Sequence, residues 1–432
     1  MENSIGPREN HPGLRPDSKV SRRTLLKGTL AAGSLALPAS LVTASAAPVR
    51  LQSDTVKVGA IYDTQGDLKL YGDQQVDAAK VAVAEINEAG GLLGKTVELV
   101  YIDAQSDQQK YTAAARELAL DKDIVMVSAG LTSASREAIR PIFDQYKKLY
   151  FYGPGYEGGV CDHYTFLTGL VPSQTSQVMV PYLNETYGQK LYIVAADYNA
   201  GHIGSLWVRK KAEELKMTVV GEDFFPLDVT DFSSTIAKIQ GAGAESVFSI
   251  LVGSNHLSFY RAFAASGLLG RVGIGSSTFG YGNEQKALKP DEGKGILASL
   301  SYYKELGTPA SNAYLESYRK HVGSDENVGQ VGEETYLGWR IWAEAVKKAG
   351  SVETEAVIKA LEGGIDYDAP EGAVRMIGKA HHMVHTVSIG AVNDQQGWDT
   401  KKVVPDVTPS FEEEVCDLIN NPEQSEQFQP ET

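Results

Sequence analysis

The sequence predicts an α/β protein made of two doubly wound parallel-sheet units, on three observations. Apolar strand-like runs alternate with amphipathic helical stretches from Thr55 onward. The same rhythm restarts at Leu191, giving two units of similar size with no Pro/Ser-rich linker between them. The chain of 432 residues is also too long for one ordinary core.

Val56–Tyr62 is the first strand. Gly72–Ala89 follows as a helix with Val76, Ala79, Val83 and Ile86 on one face, stopped by Gly90 and Gly91. Val97–Asp103 is a strand, Tyr111–Leu120 a helix, Ile124–Ser128 a strand, and Leu149–Tyr152 a short one. In the second unit Leu191–Ala196, Val219–Phe224, Ser246–Leu251 and Val272–Gly275 read as strands. The helices between them are one carrying Ile203, Trp207, Lys211 and Leu215 at helical spacing, then Phe232–Gln240 and His256–Ala265. His381, Met383 and His385 would share one face of a half-exposed strand; no carboxylate or cysteine is spaced to complete a metal site with them. The tail after Thr408 is polar and acidic, with Cys416 as a possible tether.

The first 46 residues are set apart. Ser21-Arg22-Arg23-Thr24-Leu25-Leu26-Lys27 is a twin-arginine export pattern, Gly28–Val42 is weakly apolar, and Ala44-Ser45-Ala46 is a small-x-small cleavage site. A periplasmic or cell-surface destination follows, with no lipid anchor indicated because no cysteine lies near the cut. In that oxidising space Cys161 and Cys416 are expected to form a disulfide. A net charge of −15 argues against nucleic acid or an anionic membrane as partner. A monomer is expected.

In open parallel sheets, ligands sit outside the carboxyl ends of the strands. Three loops at such ends carry usable groups: Gly130–Arg136 with Leu131, Thr132 and Ser133; Tyr152–Glu157 with Pro154, Gly155 and Tyr156; and Asp197–Gly201 with Tyr198 and Asn199. The hydroxyls of the first loop suit either a plain helix cap or a binding site at the helix N-terminus. No nucleophile elbow, P-loop or G-x-G-x-x-G follows a strand, and no catalytic set or cofactor site emerges.

Val58–Tyr62, Ala84–Lys95, Thr132–Arg136, Tyr156–Gly158, Ala196–Tyr198, Phe248–Gly253 and Phe259–Arg261 stand in the order seen in type I periplasmic solute-binding proteins. The chain resembles that family from about Thr55 to Val403, its urea and short-chain amide branch more than its leucine/isoleucine/valine branch. The resemblance implies two lobes joined by a three-strand hinge, closing on a solute that is passed to the membrane permease subunits of an ABC importer. It places the crossings near Leu167–Ser173, Ser299–Tyr303 and Ile365–Asp368. Lobe one is then 54–170 with 302–366, lobe two 171–301 with 367–405, and 406–432 a tail. The loop Ser276–Gly280, with Ser277 and Thr278, lacks the acid that would pair an amino acid's ammonium, so a small polar, neutral, amide-like ligand such as urea is implied. Leu131, Pro154-Gly155 and Ala200 depart from the amide branch and imply a larger, less polar pocket. Two alternatives stay open. One is a receptor for branched-chain amino acids or for a quaternary amine caged by Tyr152, Tyr156 and Tyr198 with Glu157 as counter-charge; the other is an amidase-type regulator.

Overall fold

A computed structural model of the chain describes residues 54–431; the expected export signal and its cleavage site lie outside the described residues. The first series of elements is β1 (Thr55–Tyr62), α1 (Lys69–Glu88), β2 (Thr96–Asp103), α2 (Gln108–Leu120), β3 (Ile124–Ala129), α3 (Ser133–Gln145), β4 (Leu149–Tyr152), β5 (Val160–Asp162) and β6 (Thr165–Leu167). The second is α4 (Pro172–Tyr187), β7 (Lys190–Ala196), α5 (Asn199–Glu214), β8 (Thr218–Phe225), α6 (Ser233–Gly241), β9 (Ser246–Ile250), α7 (Gly253–Ala265), β10 (Gly273–Ser276), α8 (Pro290–Gly293) and β11 (Leu297–Leu300). Then come α9 (Pro309–Val322), α10 (Gln330–Ala349), α11 (Thr354–Glu362), β12 (Ile365–Ala369), β13 (Gly372–Ile377), β14 (His382–Val392), β15 (Trp398–Val407), α12 (Ser410–Val415) and β16 (Ser425–Gln427).

The order β2-β1-β3-β4-β6 is parallel throughout, and β8-β7-β9-β10-β11 repeats it. Each half is therefore doubly wound, with a switch point beside its own first strand. β14 joins the halves: it meets β6 in parallel at His382 and runs antiparallel to β11 along Ser388–Ala391. Each sheet is covered by helices because its strands are apolar on both faces, as in β3 and β7.

Packing separates the halves at three places. Leu167 packs with the first half and Leu170 with the second. Tyr302 enters the core of Val58, Phe151 and Trp339, while its neighbour Tyr303 enters that of Val247, Phe259 and Trp398. Met383 belongs to the first core, and Val387 and Ile389 pack against Leu183 and Leu191 in the second. A register shift between His385 and Val387 marks that third passage. Ile365–Asp368, expected to be a crossing, is instead the first strand of the β12–β13 hairpin, whose Ile365, Val374 and Met376 pack in the first core.

One further expectation changes, and the tethered tail is as expected. All eleven residues of β14 are buried, so it is not a half-exposed strand. Its histidines are tolerated because each has its own partner: His382 bonds Tyr156, His385 bonds Glu371, and the preceding His381 stacks on Phe166. They do not converge, and no metal-holding cluster occurs among the described residues. The polar tail is ordered. Cys416 and Cys161 form a disulfide with Cα atoms 5.7 Å apart, and β16 pairs antiparallel with β5. Among the described residues no helix is long and apolar enough to cross a membrane.

Candidate functional site

A cavity of about 190 Å³ lies where the two halves face each other. Its walls come from the carboxyl ends of strands in both. The first half gives Gly155, Tyr156 and Glu157 after β4, Tyr71 near the start of α1, and Gln330 at the start of α10. The second gives Tyr198 after β7, Phe248 and Ile250 of β9, His256 of α7, and Ser277, Thr278 and Tyr281 after β10. Leu170 and Val171, in the first passage, close its floor with Thr175 and Ser176 of α4.

The wall after β4 is held from behind by a dense polar set. Thr132 caps α3 by accepting from Ser135 N–H, and the Tyr152 hydroxyl donates to the Leu131 carbonyl at 2.6 Å. Ser133, one residue into the helix, donates its hydroxyl to Glu157. Arg136 Nη2 and Gln427 Nε2 each donate to the other carboxylate oxygen at 2.8 Å. Burial would raise the Glu157 carboxyl, but Arg136, Ser133 and Gln427 together hold it below its ordinary range. Arg136 is wholly buried, with its guanidinium 4.4 Å from the ring centre of Tyr156 and 5.1 Å from that of Tyr152. Those two rings thus already cover a cation of the protein's own, and a cage of Tyr152, Tyr156 and Tyr198 around a bound amine is not formed. The Tyr156 hydroxyl points inward. His382 Nδ1 donates to the Ala380 carbonyl, which leaves Nε2 to accept from Tyr156 at 2.5 Å.

The opposite wall reaches across. The Tyr281 hydroxyl donates to Glu334 Oε2 at 3.1 Å and accepts from the Gly155 N–H. Glu334 also accepts from the N–H groups of Gly155 and Leu170 at 3.1 Å, from Gln330 at 2.8 Å and from the Ser301 hydroxyl at 3.3 Å. Burial pushes its carboxyl up to about 7. The Tyr71 hydroxyl donates to Glu284 at 2.8 Å, and burial raises the Glu284 carboxyl as well. His256 bonds the Tyr260 hydroxyl at 2.8 Å, and burial pushes its pKa down to about 3, so the ring is neutral.

Of the residues singled out from sequence, Gly155, Tyr156, Glu157, Tyr198, Ser277 and Thr278 line the cavity. Leu131, Thr132, Ser133, Tyr152 and Pro154 are not part of that lining, with Thr132 exposed, and Asn199 is exposed at the start of α5. Sequence reasoning missed Tyr71, His256, Tyr281 and Glu284. Tyr71 lies in the first turn of a helix that begins three residues earlier than Gly72. Tyr281 and Glu284 follow the loop read as Ser276–Gly280, so the carboxyl thought missing from that loop arrives four residues later. The Gly280-Tyr281-Gly282 triplet was the available signal for a longer loop.

Two doubly wound halves enclosing a cavity of mixed polar and apolar lining at their strand ends define a class of ligand-capturing α/β proteins. The profile of the family described as "Periplasmic binding protein" matches residues 55–397, and the chain belongs to that family of solute-binding proteins. It is similar to Leu/Ile/Val-binding protein homolog 6 of Brucella melitensis, 24% identical over 363 residues that cover 82% of this chain and 91% of the relative. Among solved structures it resembles the leucine-, isoleucine-, valine-, threonine- and alanine-binding protein of Brucella ovis in its closed conformation. That likeness has a TM-score of 0.74 at 21% identity, over 82% of this chain and 96% of the other. A solute-binding protein of Rhodopseudomonas palustris in complex with 4-hydroxybenzoate aligns with a TM-score of 0.70 at 22% identity, over 82% and 98%. The mixed, mostly parallel fold is that of type I periplasmic binding proteins.

Proposed function

We propose that this chain is an extracytoplasmic receptor, exported by the twin-arginine pathway, that captures a small uncharged amide-like solute and delivers it as a monomer to an ABC importer. The lobes are 54–170 with 302–384, and 171–301 with 387–405; the tail from 406 packs on lobe two through Ser410 and Phe411 and straps onto lobe one through the disulfide and β16. They close by rotation about the three passages. One observation carries the ligand reading: the cavity between the halves is lined mainly by hydroxyls and apolar side chains, with two carboxyls but neither lysine nor arginine. Phe248, Ile250, Leu170 and Val171 make it less polar than urea requires, so the favoured solute is a larger amide. A second reading has support in the two carboxyl groups of the lining, Glu157 and Glu284, and in the names of the curated relatives: an amine-bearing solute.

Thermal-shift screening of the mature chain against urea, short amides, branched amino acids and small quaternary amines tests this. A solute at a hundredfold excess over its Kd stabilises by roughly 2.7 kcal/mol. Tyr198, 39% exposed at the cavity mouth, is the clean probe, because Tyr156 also carries Arg136 and His382. Tyr198→Ala is expected to weaken the best solute at least tenfold with an unchanged melting temperature. Unchanged affinity would remove the cleft from consideration.

A further inference from the structure

We propose that Glu157 is a resident anion that sets the charge selectivity of the cavity, so that the solute meets it with an N–H donor and carries no carboxylate at that end. The inference rests on the cavity being the solute site and names what that site selects.

The position Glu157 occupies is the one an incoming anion would take. It lies at the first turn of α3, within reach of the Ser133 hydroxyl and of a buried guanidinium. In this chain those donors are spent on the protein's own carboxylate. Glu157 is 4% exposed and lines the cavity, while the Arg136 that neutralises it is wholly buried behind. A carboxylate offers about four lone-pair directions. Ser133, Arg136 and Gln427 take three, which leaves one for a donor inside the cavity. A solute carboxylate would instead face a like charge. The rest of the lining offers it no cation: it holds neither lysine nor arginine, and His256 is neutral.

Gln427 gives a second, independent sign that Glu157 is held for a purpose. It reaches the site from β16, near the end of the chain, and its Nε2 also donates to the Gly158 carbonyl at 3.1 Å. The tail is fixed there by the Cys161–Cys416 disulfide and by β5. The carboxylate is thus clamped by two residues of α3, Ser133 and Arg136, and by Gln427 of the C-terminal strap. Preorganisation of that kind lowers the cost of presenting one acceptor in one direction.

The test measures binding of two ligand series, benzamide with methyl benzoate and benzoate, and isovaleramide with methyl isovalerate and isovalerate, to the mature chain by calorimetry at pH 7. The esters match the amides in charge but lack the N–H donor, so charge and donor are read separately. In at least one series the amide is expected to bind at least tenfold tighter than both its ester and its acid. Glu157→Gln, which puts an NH2 where the acceptor stood, is expected to shift the amide-to-acid ratio at least tenfold toward the acid. An acid or ester within tenfold of its amide in both series overturns the proposal, as does a ratio that E157Q leaves in place, or no binding of any of the six to either protein. If E157Q does not fold, the wild-type ratios decide alone. Probes that bind wild type and Tyr198→Ala equally would sink the cleft reading instead, which keeps the two failures apart.

Discussion

Single residues decide how this protein responds to pH. Glu412 of α12 is buried, accepts from Gly159 N–H at 3.0 Å, and has its carboxyl pushed up from 4.5 to about 7 by burial. Between those values the folded chain holds a proton that the unfolded chain has released. The contribution of Glu412 to stability is therefore full below about pH 4.5 and is lost as pH rises through 7. Glu412→Gln keeps the carbonyl for Gly159 and removes the titration. Relative to wild type it should gain about 3 kcal/mol between pH 4.5 and pH 8 in urea denaturation, and a difference that does not change with pH would refute this. Residues of this kind were hard to see in the sequence. Tyr156 and Glu157 announced themselves through the glycines around them, whereas Glu334 and Glu412 stand among ordinary helix residues. What makes them special is burial, supplied by distant segments.

At the scale of elements, the alternation of strands and helices up to β10 was legible because each period is local: buried runs for parallel strands, a 3.6-residue stripe for α1. Helices α4 and α9–α11 went unread, and several other elements that were not legible depend on a partner. β5 and β16 are three residues each, and β16 is all polar, since it lies on an edge and is held by pairing and not by burial. β14 shows no alternation because both its faces are covered, and its histidines disguised it as a half-wet strand. The strap formed by α12 and β16 depends on a disulfide that spans 255 residues. Cys161→Ser with Cys416→Ser, or reduction, should cost about 3–5 kcal/mol and release the tail to protease before the remainder unfolds. Equal melting temperatures for reduced and oxidised protein would contradict this.

For the whole molecule, the segment after β10 bridges the two halves. Tyr281 bonds Gly155 and Glu334, Glu284 bonds Tyr71, and Lys286 Nζ donates to the Glu326 carbonyl at 2.6 Å. Each tyrosine hydroxyl bond of this kind contributes about 1 kcal/mol. Tyr71→Phe combined with Tyr281→Phe should therefore favour separation of the halves by roughly tenfold or more, seen as a larger radius of gyration in small-angle scattering and as faster solute release. Identical scattering curves and release rates would show that these bonds do not hold the halves together. The Gly155 amide sits in the cavity wall, yet it shares Glu334 with Leu170 and Ser301, which lie beside the passages between the halves. With the cavity as the proposed solute site, recognition and geometry are written in one set of atoms. The affinity measured for any variant of that set is a product of two factors, the strength of the contacts and the fraction of molecules already shut. Only a rate measurement can factor it.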